Sequence, residues 1–160
     1  MATWHFDFHL VPRSELERRF GDTPLTVSEA DYRQSNWWTE AEATSDLIKD
    51  LSSVLPEGRS WNSEQKTWGA SDSDRLTVIL EDHRVAEVSG RVDVRHLSLA
   101  FLNRIIAIAR RHGLLILTEG RYILRPSVRE LLAAIQRSPS FAFVADPEEF
   151  LNRLAATDEQ

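Results

Sequence analysis

The stretch from Leu76 to His112 constrains the fold more than any other part of the chain. Leu76, Val78 and Leu80 alternate with Thr77, Ile79 and Glu81, and Asp82-His83 supplies a turn. The return strand places Ala86, Val88, Gly90, Val92 and Val94 on one face and Glu87, Ser89, Arg91, Asp93 and Arg95 on the other. A period of two across a two-residue connection predicts an antiparallel hairpin with one core face and one solvated or partner-facing side. Gly90 offers no side chain to pack and marks a candidate bulge. Next, Leu97, Phe101, Leu102, Ile105, Ile108 and Ala109 follow the helical period, widened by Leu99 and Ile106. So broad an apolar stripe requires a central helix with partners on several sides.

The flanking segments extend this pattern. Trp4, Phe6, Phe8 and Leu10 alternate with His5, Asp7 and His9, which predicts a half-buried strand ended by Pro12. Ser14-Glu15-Leu16-Glu17 has capping-box spacing before a short helix that Gly21 closes. Residues 22–36 read as a connecting loop, Thr39–Leu55 as a helix, and 61–68 as a short strand. Leu114–Thr118 and Tyr122–Leu124 form a second hairpin, Ser127-Val128-Arg129-Glu130 opens another capped helix, and Asp146-Pro147-Glu148-Glu149 begins the last, docked by Phe150, Leu151 and Leu154. Hairpins and helix pairs, without strict strand–helix alternation, predict an α+β fold: a mainly antiparallel sheet of about 5–6 strands with helices packed on one face. With no linker or repeat, residues 1–160 are expected to form a single globular domain.

Charge and composition narrow the function classes. The chain has no cysteine, which excludes disulfides, thiolate metal sites and a cysteine nucleophile. Its formal charge of −6 opposes nucleic-acid binding, which needs several cationic phosphate contacts. Residues 1–82 hold 16 acids and 8 bases, net −8, whereas residues 83–160 hold 9 acids and 11 bases, net +2. A partner drawn to the first half would therefore be basic. The alternative is that the acidity serves solubility. The opening residues lack the basic head and long apolar run of a signal peptide, and no segment approaches the ~20 apolar residues of a membrane span. A cytoplasmic protein with no membrane partner is the expectation; the oligomeric state is left open.

No residue constellation names a reaction. His5, Asp7 and His9 share one strand face, but i and i+2 lie about 6.6 Å apart and i and i+4 about 13 Å apart. Two neighbours can share a metal; three on a straight strand cannot easily converge, and no helical His pair supplies a further ligand. The other reading is a polar face on an edge strand. Glu57 with Glu64-Gln65-Lys66 has the acids and lysine of a magnesium nuclease, yet in polar surroundings. Asp72-Ser73-Asp74 lacks the glycine and closing glutamate of a calcium loop. No cofactor, catalytic residue or metal site is assigned. Arg91, Asp93 and Arg95 at i, i+2 and i+4 suit a cross-strand ion ladder, or the ordering of a neighbouring loop.

The tryptophans are more informative. Trp37, Trp38, Trp61 and Trp68 fall within the acidic half, interleaved with Glu40, Glu42, Asp46, Asp72 and Asp74. Trp is enriched in binding hot spots, and acids around it steer a basic protein. Trp37, Trp38, Glu40, Glu42, Asp46, Trp61, Asp72 and Asp74 are therefore the candidate partner-binding residues. Taken singly, each ring can equally fill the core.

The Trp-Trp pair before a helix, Trp68-Gly69, the strand Glu87–Arg95 and the ending Phe143–Leu151 resemble bacterial immunity proteins of polymorphic-toxin systems. The resemblance covers most of the chain and implies a small cytosolic inhibitor that occludes a cognate toxin without turnover. It carries over no functional residues. The expected function is thus a non-enzymatic protein-binding inhibitor, with a basic nuclease toxin matching the charge. The alternative is a small hydrolase or ligand-binding enzyme with a scattered site.

Overall fold

The computed structural model describes residues 3–34, 36–38, 45–60 and 62–158. Within these, β1 (His5–Pro12), β2 (Gln65–Gly69), β3 (Arg75–Glu81), β4 (Arg84–Asp93), β5 (Leu114–Thr118) and β6 (Ile123–Leu124) form one antiparallel sheet in the order β2-β3-β4-β1-β5-β6. Helices α1 (Arg13–Phe20), α2 (Glu29–Gln34), α3 (Ser45–Ser52), α4 (Leu99–Arg111), α5 (Val128–Gln136), α6 (Pro139–Ala145) and α7 (Pro147–Asp158) complete an α+β fold.

The hairpin of β3 and β4 turns on Asp82 and His83, both in the left-handed region at φ 51° and 65°. The register shift lies between Ile79 and Leu80, not at Gly90. Gly90 instead faces Phe8 across the β1–β4 pair, and a Cβ there would lie 2.2 Å from Phe8 Cζ. The missing side chain is where the ring sits.

Strand β1 corrects the edge-strand reading. It lies inside the sheet, pairing His5–His9 with β4 and Phe8–Pro12 with β5. Register then assigns the faces. Phe6, Phe8 and Leu10 share one side with Val88, Val92, Leu76, Val78, Trp68 and Ile116, all buried. These join the buried stripes of α4 (Phe101, Leu102, Ile105, Ile106, Ala109), α3 (Leu47, Leu51) and α5 (Leu131, Ile135) in one core. Burial of so many apolar side chains is the main stabilising term of the fold.

The helix ends show which cap signals operate. Ser98 accepts from Phe101 N–H and Ser127 from Glu130 N–H, as their spacing predicts. Because α4 begins at Leu99, Leu97 and Leu99 remain exposed instead of entering the stripe. Leu151 of α7 is likewise exposed. Ser14 does not cap α1; Pro12 holds that position without a side-chain bond. Within the supposed loop 22–36, Ser28 accepts from Asp31 N–H and opens α2. Ser138 with Pro139 opens α6. The helix read over 39–55 is seen as α3, which ends at Ser52 and not at Leu55; residues 39–44 lie outside the described ones.

Both sheet margins are bridged by short segments. Along β2, Gly58 N–H donates to Thr67 O and Gly69 N–H to Pro56 O, both at 2.8 Å. Along β6, Val27 N–H donates to Arg121 O at 3.0 Å and Ile123 N–H to Leu25 O at 2.9 Å. Such coverage protects edges that would otherwise pair with foreign strands.

Candidate functional site

The second face of the sheet is polar in its middle because β1 and β4 place their hydrophilic positions opposite one another. Asp7 stands across from Arg91, and His9 across from Ser89 beside Glu87. Arg91 Nε donates to Asp7 Oδ1 at 2.8 Å, and Nη2 reaches Oδ2 at 3.5 Å. His9 Nδ1 lies 3.3 Å from Glu87 Oε1. Of the expected ladder residues, Arg91 makes a cross-strand ion pair, with Asp7 of β1.

Two further elements close in on it. From the β5–β6 turn, Glu119 Oε1 accepts from Asp7 N–H at 2.6 Å. From α2, Tyr32 meets the His9 ring edge-on, with centroids 5.8 Å apart. With Thr77 and Ser89 these groups line a groove of about 410 Å³. Desolvation lowers the proton affinity of His9 despite the carboxylates of Glu87 and Asp7. Desolvation raises Glu119, opposed by its bond from Asp7 N–H and reinforced by the Asp7 charge. Burial raises Tyr32, helped by Glu119, Asp7 and Glu87. The groove thus favours a neutral imidazole and offers hydroxyl, carboxylate and guanidinium groups to a polar ligand. Asp7 and His9 are each engaged by β4, and among the described residues no group of three or more His, Cys, Asp or Glu could hold a metal ion.

The tryptophans and the acids occupy different places. Trp37, Trp38 and Trp68 are 5–6 % exposed. Trp38 Nε1 donates to Leu10 O at 3.1 Å, and the Arg19 guanidinium stacks 4.6 Å from the Trp37 ring centroid. Arg19 is itself held by the buried Glu15, so α1 clamps the Trp pair against the core. The Trp rings and acids therefore do not form one exposed face: large apolar rings beside the β1 strand gain more by filling the core. Trp61, Glu40 and Glu42 lie outside the described residues.

Asp46 is exposed in the first turn of α3 and forms no ion pair among the described residues. Asp72 and Asp74 are brought together with the arginines of β4. Here β4 ends at Asp93, and Val94–His96 forms a 3-10 turn, so Arg95 leaves the strand face where the sequence places it. Asp93 accepts from Arg95 N–H, Nε and Nη2 at 3.0 Å each. Burial raises the Asp93 carboxyl, but the bonds and charge of Arg95 outweigh it and the net shift is downward. Arg95 Nη2 also donates to Asp72 O at 2.9 Å, and Arg91 Nη1 reaches Ser71 O at 3.5 Å. Asp74 Oδ1 accepts from Asp93 N–H at 2.9 Å, while burial raises its proton affinity. The turn 71–74 is held from below by three residues, Arg91, Asp93 and Arg95, with the Asp72 side chain on the outside.

Sequence patterning could expose Arg91, Asp93 and Arg95, but not the contributions of Tyr32 and Glu119. Those two arrive from a helix and a turn whose placement depends on long-range pairing. No family model, no curated protein and no solved structure matches the chain. Among the described residues, no helix is long and apolar enough to cross a membrane.

Proposed function

We propose that this protein is a non-enzymatic binding protein of the immunity type, which occludes a cognate bacterial toxin through its acidic surface. The observation that supports this reading best is the fixed 71–74 turn. Its carbonyls are taken by Arg91 and Arg95, and Asp74 is tied to the β4 backbone, so Asp72 is presented to solvent, with the Arg95 guanidinium within reach of its charge. A preorganised acid loses little freedom on binding, and negative potential accelerates encounter with a basic partner. Exposed Asp46 and Glu57 belong to the same acidic half.

The test pairs the protein with the toxin domain encoded beside it. Co-expression is expected to restore growth of cells producing that domain. Charge reversal by Asp46→Lys with Asp72→Lys is expected to slow association about tenfold at low salt, with the difference fading as salt rises. An unchanged on-rate removes this surface from the reading, and failure of rescue removes the pairing.

The second reading, a small hydrolase or ligand-binding enzyme, is favoured by the groove, where His9, Tyr32 and Glu119 have perturbed proton affinities on one concave surface. Hydrolysis of p-nitrophenyl acetate above background and its loss in His9→Gln would support it. A rate equal to background would refute that activity.

A further inference from the structure

On the far side of the Glu119-Gly120 turn from the groove, a separate cavity of about 610 Å³ opens between the start of β1, the β5–β6 turn and the α5–α6 junction. Its volume is within the range that holds a small organic molecule, about 300–1,000 Å³. Phe6, Tyr122, Ala134 and Pro139 give it a largely apolar wall. Thr3, Thr118, Ser138 and Ser140 add hydroxyls to the lining, and two nitrogen-bearing side chains stand out. The first is His5, 4 % exposed, whose imidazole finds no hydrogen-bond partner for either nitrogen among the described residues. The second is Arg137, at the C-terminal cap of α5, exposed and in no ion pair among the described residues.

The backbones of both residues are anchored. His5 pairs with Asp93 across the sheet, its carbonyl accepts from Ser140 Oγ, and its ring packs edge-on against Trp4 with centroids 5.7 Å apart. Arg137 N–H donates to Ala133 O, which fixes the origin of the side chain. Burying a polar group without a partner costs about 1–3 kcal/mol, so the enclosed imidazole would gain by turning toward a polar atom of a ligand in the adjoining cavity. Glu119 also lines the cavity, with Oε1 accepting from Asp7 N–H, so a ligand's acid group would have to sit at Arg137 and away from that carboxylate.

We propose that this cavity is a small-molecule site for an aromatic monoanion, whose apolar body lies against Phe6, Ala134 and Pro139 and whose acid group meets Arg137. The guanidinium recognises a carboxylate or sulfonate through charge-assisted hydrogen bonds. The apolar wall selects a flat hydrocarbon body over a sugar or a phosphate. The site is independent of the inhibitory role proposed above, because it shares neither the 71–74 turn nor Asp46.

Two probes with one skeleton test this: 1-anilinonaphthalene-8-sulfonate, and N-phenyl-1-naphthylamine, which lacks the sulfonate. Both are titrated by fluorescence against the whole chain. Each is expected to saturate at one site. Arg137→Gln is expected to weaken the sulfonate about tenfold while changing the neutral amine less than twofold. Ala134→Trp, checked for an unchanged melting profile, is expected to abolish both. The imidazole nitrogen resonances of His5 are expected to move on binding while those of His83 and His112 stay. The proposal is overturned if neither probe saturates at one site, if Arg137→Gln affects both probes alike, or if the His5 resonances do not respond.

Discussion

Gly90→Ala is a small chemical change that the packing of β1 against β4 makes severe. The new Cβ would lie 2.2 Å from Phe8 Cζ and 2.7 Å from its two Cε atoms. Ordinary contact begins near 3.4 Å, so the ring must retreat by about 1.2 Å. Phe8 is 1 % exposed and sits in the main core, where neighbours are already close-packed. Overpacking of this kind costs about 1–3 kcal/mol. For a chain this long, that lowers the midpoint by about 2–4 °C per kcal/mol. Backbone strain does not explain the cost, because the left-handed glycines are Gly21, Gly69 and Gly113. Without the ring, alanine would be neutral or stabilising by about 0.4–1 kcal/mol. A double-mutant cycle with Phe8→Leu, read by urea denaturation, should therefore give a coupling of about 1–4 kcal/mol. The reasoning is refuted if Gly90→Ala is neutral in the parent, or equally costly in the Phe8→Leu background.

Four further outcomes follow from the described contacts. Glu15 is 2 % exposed and accepts from Arg18 and Arg19, which lower its proton affinity against the effect of burial. Glu15→Gln should cost about 1–3 kcal/mol at pH 7, and the gap should narrow below the ordinary value of 4.5 as the carboxyl protonates; a constant gap contradicts this. Because desolvation lowers His9 below its ordinary 6.5, the unfolded chain binds more protons in mild acid and the fold weakens as pH falls there. His9→Gln should flatten that slope, and an NMR midpoint at or above 6.5 would rule the account out. His83→Gly should stabilise by about 0.5–1 kcal/mol, since φ 65° burdens a side chain and not glycine; a loss of stability would contradict it. Arg91→Met should quicken amide exchange at Ser71–Asp74 while lowering global stability by less than about 1 kcal/mol, because both Asp7 and Arg91 are 29 % exposed; protection unchanged at the turn would argue against its tethering.

The parts of this fold legible in the sequence are those whose determinants are local. The β3–β4 hairpin needs only alternation, and α4 and α5 need only periodicity with Ser98 and Ser127 as caps. The short helices α2 and α6 carried the same local signals in Ser28…Asp31 and Ser138-Pro139, obscured by their polar or brief surroundings. The position of β1 was not legible, because pairing with β4 and β5 joins residues some 80 to 110 apart in sequence. The groove inherits that opacity: Asp7 and His9 are visible as polar alternates, yet their partners Arg91, Glu87, Glu119 and Tyr32 come from three other elements. The tryptophans show the converse limit. Their acidic neighbours suggested a surface, but Trp37, Trp38 and Trp68 are in the core. Composition around a residue does not determine which way its side chain faces.

The bridged margins of the sheet set how this protein would fail. Only a few backbone bonds, from Pro56 and Gly58 on one side and Leu25 and Val27 on the other, stand between β2 or β6 and an incoming strand. The 56–58 segment buries no apolar side chain, so it can detach at far lower cost than the core can melt, whereas 25–27 is anchored by Val27 in the core. The first species competent to self-associate on warming is then a native-like molecule with one strap lifted. Solution lifetime would be governed by the holding power of residues 56–58, and Gly58→Pro, which removes the N–H that donates to Thr67 O, would shorten shelf life while barely moving the melting temperature.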